Sequence, residues 1–258
     1  MEKIREIFAL DGKTALVTGG SRGLGFSMAK GLACFGADAA IIARDGKQLD
    51  EAKSRLEKTG RRIICRSFDL KNTAATPQVF NELDGEAGGI DILVNNAGIN
   101  IRASLAESSE EDWDAVMDVN LKSAYILSRS FVRKRLERKK PGRIINITSL
   151  AAEGARAGIG IYAASKGALR QLTKAFAVEC AQSGINVNAI GPGYYKTPMN
   201  EPLAEDARFD RWVKENAPAG RWGEPDELIG AAVFLASDAS SYVNGQTIYV
   251  DGGWLAKL

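Results

Sequence analysis

Tyr162 and Lys166 stand four residues apart in "GIYAASKGAL". On a helix that spacing puts a phenol and an ammonium on one face, one turn apart. The chain contains no histidine, so acid–base chemistry near neutral pH would fall to other groups. A free tyrosine titrates at about 10, too high for an efficient base at neutrality, and a neighbouring cation favours its phenolate. Alone, the pair reads most simply as an incidental surface pair. Ser149, at the end of the β-rich run "RIINITS", and Asn120, in the helical "VNLKSAY", change that reading, because they supply a hydrogen-bond donor and a polar anchor for the same chemistry.

Alternating elements must position these groups. Runs at 14–18, 38–42, 62–68, 91–95, 143–149, 185–190 and 247–250 read as strands, several of them apolar on both faces as buried parallel strands are. Helical patterns lie near 24–35, 46–58, 73–84, 110–138, 161–182 and 225–236. Repeated βα units predict an α/β fold: a single-domain, Rossmann-type doubly wound parallel sheet of about seven strands with helices on both faces. One domain spans 1–258. The stretch 191–224, with Pro192, Pro198, Pro202 and Pro218, reads as a long irregular loop over a substrate site.

Directly after the first strand comes "TGGSRGLG". Gly19, Gly23 and Gly25 allow a sharp turn and close approach to a pyrophosphate, and the following helix offers its first N–H groups to that anion. Ser21, Arg22 and Leu24 share this loop. An acid at the end of the second strand would bind a ribose 2′-hydroxyl; here the strand ends "IIARD". Arg22 and Arg44 can clamp a 2′-phosphate, which favours NADP(H) over NAD(H). Asp45 reverses that preference if it, and not Arg44, faces the ribose; a further alternative leaves both arginines as solvated surface groups.

The net charge of +2 and the absence of a basic patch with interleaved aromatics argue against nucleic acid as a partner. No apolar run is long enough to span a bilayer, and the N-terminal "MEKIREIFALDGK" has no apolar signal core. Cys34, Cys65 and Cys180 are odd in number and widely spaced, which predicts neither a disulfide framework nor a structural metal site and fits the cytoplasm.

"TGGSRGLG", "NNAG" (95–98), Asn120, Ser149, "YAASK" (162–166) and "PGYYKT" (192–197) occur in the order and spacing of the short-chain dehydrogenase/reductase family, which the chain resembles from residue 11 to 253. The resemblance implies a nicotinamide cofactor, interconversion of an alcohol and a carbonyl, and a catalytic tetrad of Asn120, Ser149, Tyr162 and Lys166. Tyr162 would exchange the proton with the substrate oxygen, and Ser149 would hydrogen-bond that oxygen. Lys166, together with the positive ring of the oxidised nicotinamide, would lower the tyrosine pKa; it would also hold the ribose, and Asn120 would anchor a water that passes protons to Lys166. The resemblance also implies cofactor contacts from Asp69, Leu70, Asn96, Ala97, Gly98, Pro192, Gly193, Tyr195 and Thr197, and a homotetramer with the helices at 110–138 and 161–182 in its interfaces.

Within that family the C-terminal half is most similar to gluconate 5-dehydrogenases and related sugar-acid reductases. A sugar acid needs a cation for its carboxylate, and Arg102 and Arg156 stand in loops able to supply one. Each is equally well read as a solvated loop arginine or an interface ion pair. Trp222 reads as a cleft border or as packing. Two other functions compete: reduction of a 3-oxoacyl group on a carrier protein or of another ketone, and sensing of NADP(H) without turnover, which the complete tetrad disfavours.

Overall fold

All seven predicted strands form: β1 (Thr14–Thr18), β2 (Asp38–Ala43), β3 (Ile63–Ser67), β4 (Ile92–Asn95), β5 (Gly142–Ile147), β6 (Ile185–Pro192) and β7 (Thr247–Val250). They make one parallel sheet in the order β3-β2-β1-β4-β5-β6-β7. The computed structural model describes residues 6–257; the first five residues of the N-terminal stretch discussed above lie outside the described residues.

The double-sided apolar runs are explained by the two layers that cover the sheet. Successive side chains point to opposite faces. Ala15, Val17 and Ile41 pack on one face with helices α1 (Gly23–Cys34), α2 (Gly46–Leu56) and α9 (Ile229–Ala236). Leu16, Ala40 and Ile42 pack on the other with α3 (Thr76–Glu86), α5 (Ser123–Arg138) and α6 (Gly160–Cys180). The chain runs outward from β1 to β2 and β3, then returns to lay β4 on the free edge of β1. The loops after β1 and β4 therefore diverge and open a crevice at the carboxyl ends of the strands.

Three elements differ from the sequence reading. The third helix starts at Thr76, not at 73, with Pro77 in its first turn, where a missing N–H is tolerated. The long helix over 110–138 is α4 (Glu110–Met117), a π-helical turn at Asp118–Lys122, and then α5. Asn120 sits in that wider turn. The stretch 191–224 is not irregular throughout, since it contains α7 (Glu201–Glu205) and α8 (Ala207–Asn216). Its prolines mislead: Pro202 lies in the first turn of α7, and the Asp206 carboxylate caps α8 by accepting from the Arg208 and Phe209 N–H groups.

Candidate active site

The crevice between β1 and β4 widens into a cavity of about 1090 Å³ that runs from the glycine loop to α8. Gly19 and Gly23 are left-handed, with φ of +65° and +56°. A Cβ on Gly25 would stand 2.2 Å from the Gly19 carbonyl oxygen and 2.4 Å from Asn96 Nδ2, so glycine is required for the loop to fold onto α1. Arg22 makes no side-chain cap on α1, and the first turn of that helix lines the cavity through Gly23, Leu24 and Gly25. Thr18, which the sequence reading passed over, stitches the two strand ends: its Oγ accepts from the Asn96 and Ala97 N–H groups at 2.9 and 3.0 Å.

The other predicted cofactor residues also line this cavity: Ser21, Arg44, Asp69, Leu70, Asn96, Ala97, Gly98, Pro192, Gly193, Tyr195 and Thr197. Arg22 and Arg44 are exposed at its rim. The Asp45 carboxylate turns to cap α2, accepting from Gln48 N–H at 3.1 Å. Thr197 packs beside the glycine loop, 3.7 Å from where a Cβ on Gly23 would lie. The Tyr195 carbonyl is already taken by Asn200 Nδ2.

Ser149, Tyr162 and Lys166 meet at the centre of the cavity. Ser149 is two residues beyond β5, where its Oγ accepts from Ala151 N–H and caps the 3-10 turn Leu150–Ala152. Lys166 is 3% exposed and its Nζ donates to the Ile147 carbonyl at 2.7 Å. Asn120, alone among the predicted site residues, does not reach the cavity wall. It is 1% exposed, accepts from Ile99 N–H at 2.8 Å, and donates to the Ile99 carbonyl and Ser165 Oγ. Ser165 Oγ in turn donates to the Tyr162 carbonyl at 2.7 Å. Asn120 thus ties the end of the "NNAG" segment to the helix that bears Tyr162. Gly98 lies between Asn120 and Lys166: a Cβ there would be in ordinary contact, 3.4 Å from Asn120 Oδ1 and 3.5 Å from Lys166 Nζ.

The far end of the cavity is aromatic. The Tyr194 ring centre lies 4.8–5.8 Å from those of Phe209, Trp212, Trp222 and Trp254. Tyr194, Trp212 and Trp254 face the cavity. Trp222 is 2% exposed, donates to Asp210, and packs behind Tyr194 without lining the cavity, so its role is packing. Arg102 and Arg156 both line this end. The Arg156 guanidinium stacks 4.9 Å above Phe209 and 5.9 Å from Trp212, and its buried Nε has no protein partner. The sequence reading missed Tyr194, Trp212 and Trp254; their only signal was a cluster of aromatics in segments distant from one another along the chain.

A family model described as enoyl-(acyl carrier protein) reductase, a short-chain dehydrogenase model, matches residues 19–255. The chain belongs to the short-chain dehydrogenase/reductase family. This dehydrogenase/reductase is 44% identical to the gluconate 5-dehydrogenase of Gluconobacter oxydans over 253 residues, covering 98% of both chains. It is also 44% identical to the 2-dehydro-3-deoxy-D-gluconate 5-dehydrogenase of Bacillus subtilis, covering 100% of both. Among solved structures, a gluconate 5-dehydrogenase from Burkholderia cenocepacia in complex with NADP and tartrate superimposes with a TM-score of 0.94 at 43% identity, over 99% of this chain and 100% of that one. The enzyme is thus an oxidoreductase acting on CH–OH groups.

The cavity of this dehydrogenase/reductase fits a nicotinamide dinucleotide on its own geometry. The side-chain-free glycine turn leaves room for a pyrophosphate, a helix N-terminus faces it, and two arginines stand at the rim. When bound, such a cofactor supplies or accepts the hydride. Burial pushes the Tyr162 phenol above its ordinary value; its bond with Ser149 opposes this, and nearby Tyr194 adds to it. Burial pulls Lys166 down to about 8. The Lys166 ammonium, for its part, is aimed at the Ile147 carbonyl.

Proposed function

We propose that the enzyme interconverts a secondary hydroxyl and a ketone on a sugar acid, with NADP(H) as its preferred cofactor and D-gluconate and 5-dehydrogluconate as its substrate pair. The observation that carries this reading is the buried, unpartnered Nε of Arg156 in a cavity wall that also presents Arg102. A guanidinium held over aromatic rings is prepared for a carboxylate, and Tyr194 and Trp212 offer apolar faces to the C–H side of a sugar chain. The names of the relatives point the same way.

In this reading Tyr162 gives its proton to the substrate oxygen in reduction and takes it back in oxidation. Ser149 donates a hydrogen bond to that oxygen as charge develops. Lys166 and Asn120 fix the helix and the strand end on either side. The Asn120 side chain bonds Ile99 and Ser165, which gives it a positional part. Arg22 and Arg44 select the 2′-phosphate, with Asp45 withdrawn to its helix cap. Exposed Trp113 and Tyr125, on α4 and α5, and Val178, on α6, are in keeping with a homotetramer.

A second reading is favoured by the Bacillus subtilis relative: oxidation of 2-dehydro-3-deoxy-D-gluconate at the same carboxylate-anchored site. Nicotinamide absorbance decides between them. The enzyme is offered each acid with NADP⁺ and, separately, with NAD⁺. Turnover of D-gluconate with NADP⁺ supports the first reading; turnover of the deoxy acid alone moves the assignment to the second. No turnover of either acid rejects the sugar-acid class.

A further inference from the structure

We propose that Glu153 is a positioning residue of the active site: held by Arg170 and Tyr249, it sets the segment that carries Ser149 and Arg156 against the helix that carries Tyr162. The segment 149–159 leaves β5 at Ser149, makes the turn Leu150–Ala152, passes Arg156 and enters α6. Its local backbone ties are short-range: Ala152 N–H to the Ser149 carbonyl, Glu153 and Gly154 N–H to the Leu150 carbonyl, and Ile159 N–H to the Arg156 carbonyl, with a bridge between Ile159 and Ala103 at its far end. Between these ends lies Glu153, four residues after Ser149 and three before Arg156.

One oxygen of Glu153 receives two donors. Arg170 Nη1 donates to Glu153 Oε1, and Tyr249 O–H donates to the same atom at 2.5 Å. Arg170 is on α6, one turn beyond Lys166; Tyr249 is on β7. The Tyr249 ring is itself seated by a glycine, since a Cβ on Gly191 would stand 2.3 Å from the ring. The sheet edge, the Tyr162 helix and the Ser149 segment therefore converge on a single carboxylate oxygen. The Tyr249 and Arg170 bonds hold Glu153 below the usual carboxylate range, so it is an ionised acceptor throughout the working pH range.

Magnitude decides what this cluster is for. Glu153 and Arg170 are each about 30% exposed, and pairs so exposed contribute only about 0–1 kcal/mol to folding. A displacement of about 1 Å at reacting groups costs up to about 100-fold in rate. The cluster therefore matters little to stability and much to the placement of Ser149 Oγ opposite Tyr162.

The test uses the full chain with E153A, Y249F and E153Q. Amide hydrogen exchange is followed over 150–158, alongside kcat and KM on the sugar acid that the wild type turns over, the Kd for NADPH from its fluorescence, and Tm. E153A is expected to speed exchange in that segment alone and to lower kcat about 10–100-fold, with Kd for NADPH and Tm as in the wild type. E153Q, which keeps an acceptor of the same shape, recovers most of the loss, and E153A/Y249F is no worse than E153A. Unchanged exchange, or kcat within about twofold of wild type, overturns the proposal. So does a joint fall of Tm and NADPH affinity, which marks a role in folding only. If the wild type turns over neither acid, the sugar-acid reading fails separately, and the exchange measurement alone decides this one.

Discussion

Lys166 Nζ lies 5.7 Å from the centre of the Tyr162 ring, yet its hydrogen bond goes to the Ile147 carbonyl, 2.7 Å away. The ammonium and the phenol are neighbours that share no hydrogen bond. With burial holding the phenol up, alcohol oxidation, which needs the phenolate, gains rate as pH rises, and carbonyl reduction, which needs the phenol, loses it at high pH. Y162F should cost about 10²–10⁴-fold in both directions. The kcat/KM profiles for the two directions, measured on one substrate pair, check the opposite slopes.

Lys166 carries a stability signature of its own. Its pKa in the fold is about 8, against an ordinary 10.5. Between those values the unfolded chain binds more protons than the folded one, so the lysine's contribution to stability rises with pH through that window. The total is about 3 kcal/mol. Below pH 8 both states are protonated and the cost of the buried charge is fully present. Urea unfolding of wild type and K166M at pH 7.5 and 10 should show the wild type gaining on the variant by about that amount.

Arg44 and Asp45 are neighbours with separate tasks. R22A/R44A should weaken NADPH by about 10–100-fold, the loss of charge-assisted bonds, and leave NADH unchanged. D45A removes the cap at Gln48 and should lower stability by about 1 kcal/mol without altering the ratio of NADPH to NADH affinity. Fluorescence titration with each dinucleotide and chemical unfolding separate the two effects.

R156A is expected to raise KM for the sugar acid by about 10–100-fold with little change in the Kd for NADPH. R156K should recover little, because a lysine has no planar guanidinium to lie over Phe209 and no two parallel donors. R102A should have a smaller effect, since Arg102 is exposed. Steady-state kinetics on the three variants rank them.

N120A leaves the Ile99 N–H and carbonyl without their partner. Each unmet group costs about 1–3 kcal/mol, so the variant should lose several degrees of Tm as well as activity. Calorimetry beside turnover shows both losses; activity lost at full stability would place Asn120 in the chemistry instead.

Local chemistry along the chain determined much of this protein. Apolar runs of strand length, the glycine turn after β1 and the Tyr162–Lys166 spacing are short-range features, and they were enough to predict a doubly wound parallel sheet of about seven strands and a glycine loop at the end of its first strand. What only the tertiary structure decided depends on distances between remote segments. Tyr194, Trp212 and Trp254 become one wall only when the 194–222 stretch folds its helices over the cavity. Asn120 turns inward because a π-helical turn aims it at Ile99, and the Asp45 carboxylate, beside Arg44 on the cavity rim, is engaged in capping α2 at Gln48 N–H. The surroundings of Tyr162 were decided there too: spacing places a cation near the phenol, but the burial that pushes its pKa up is something no local pattern measures.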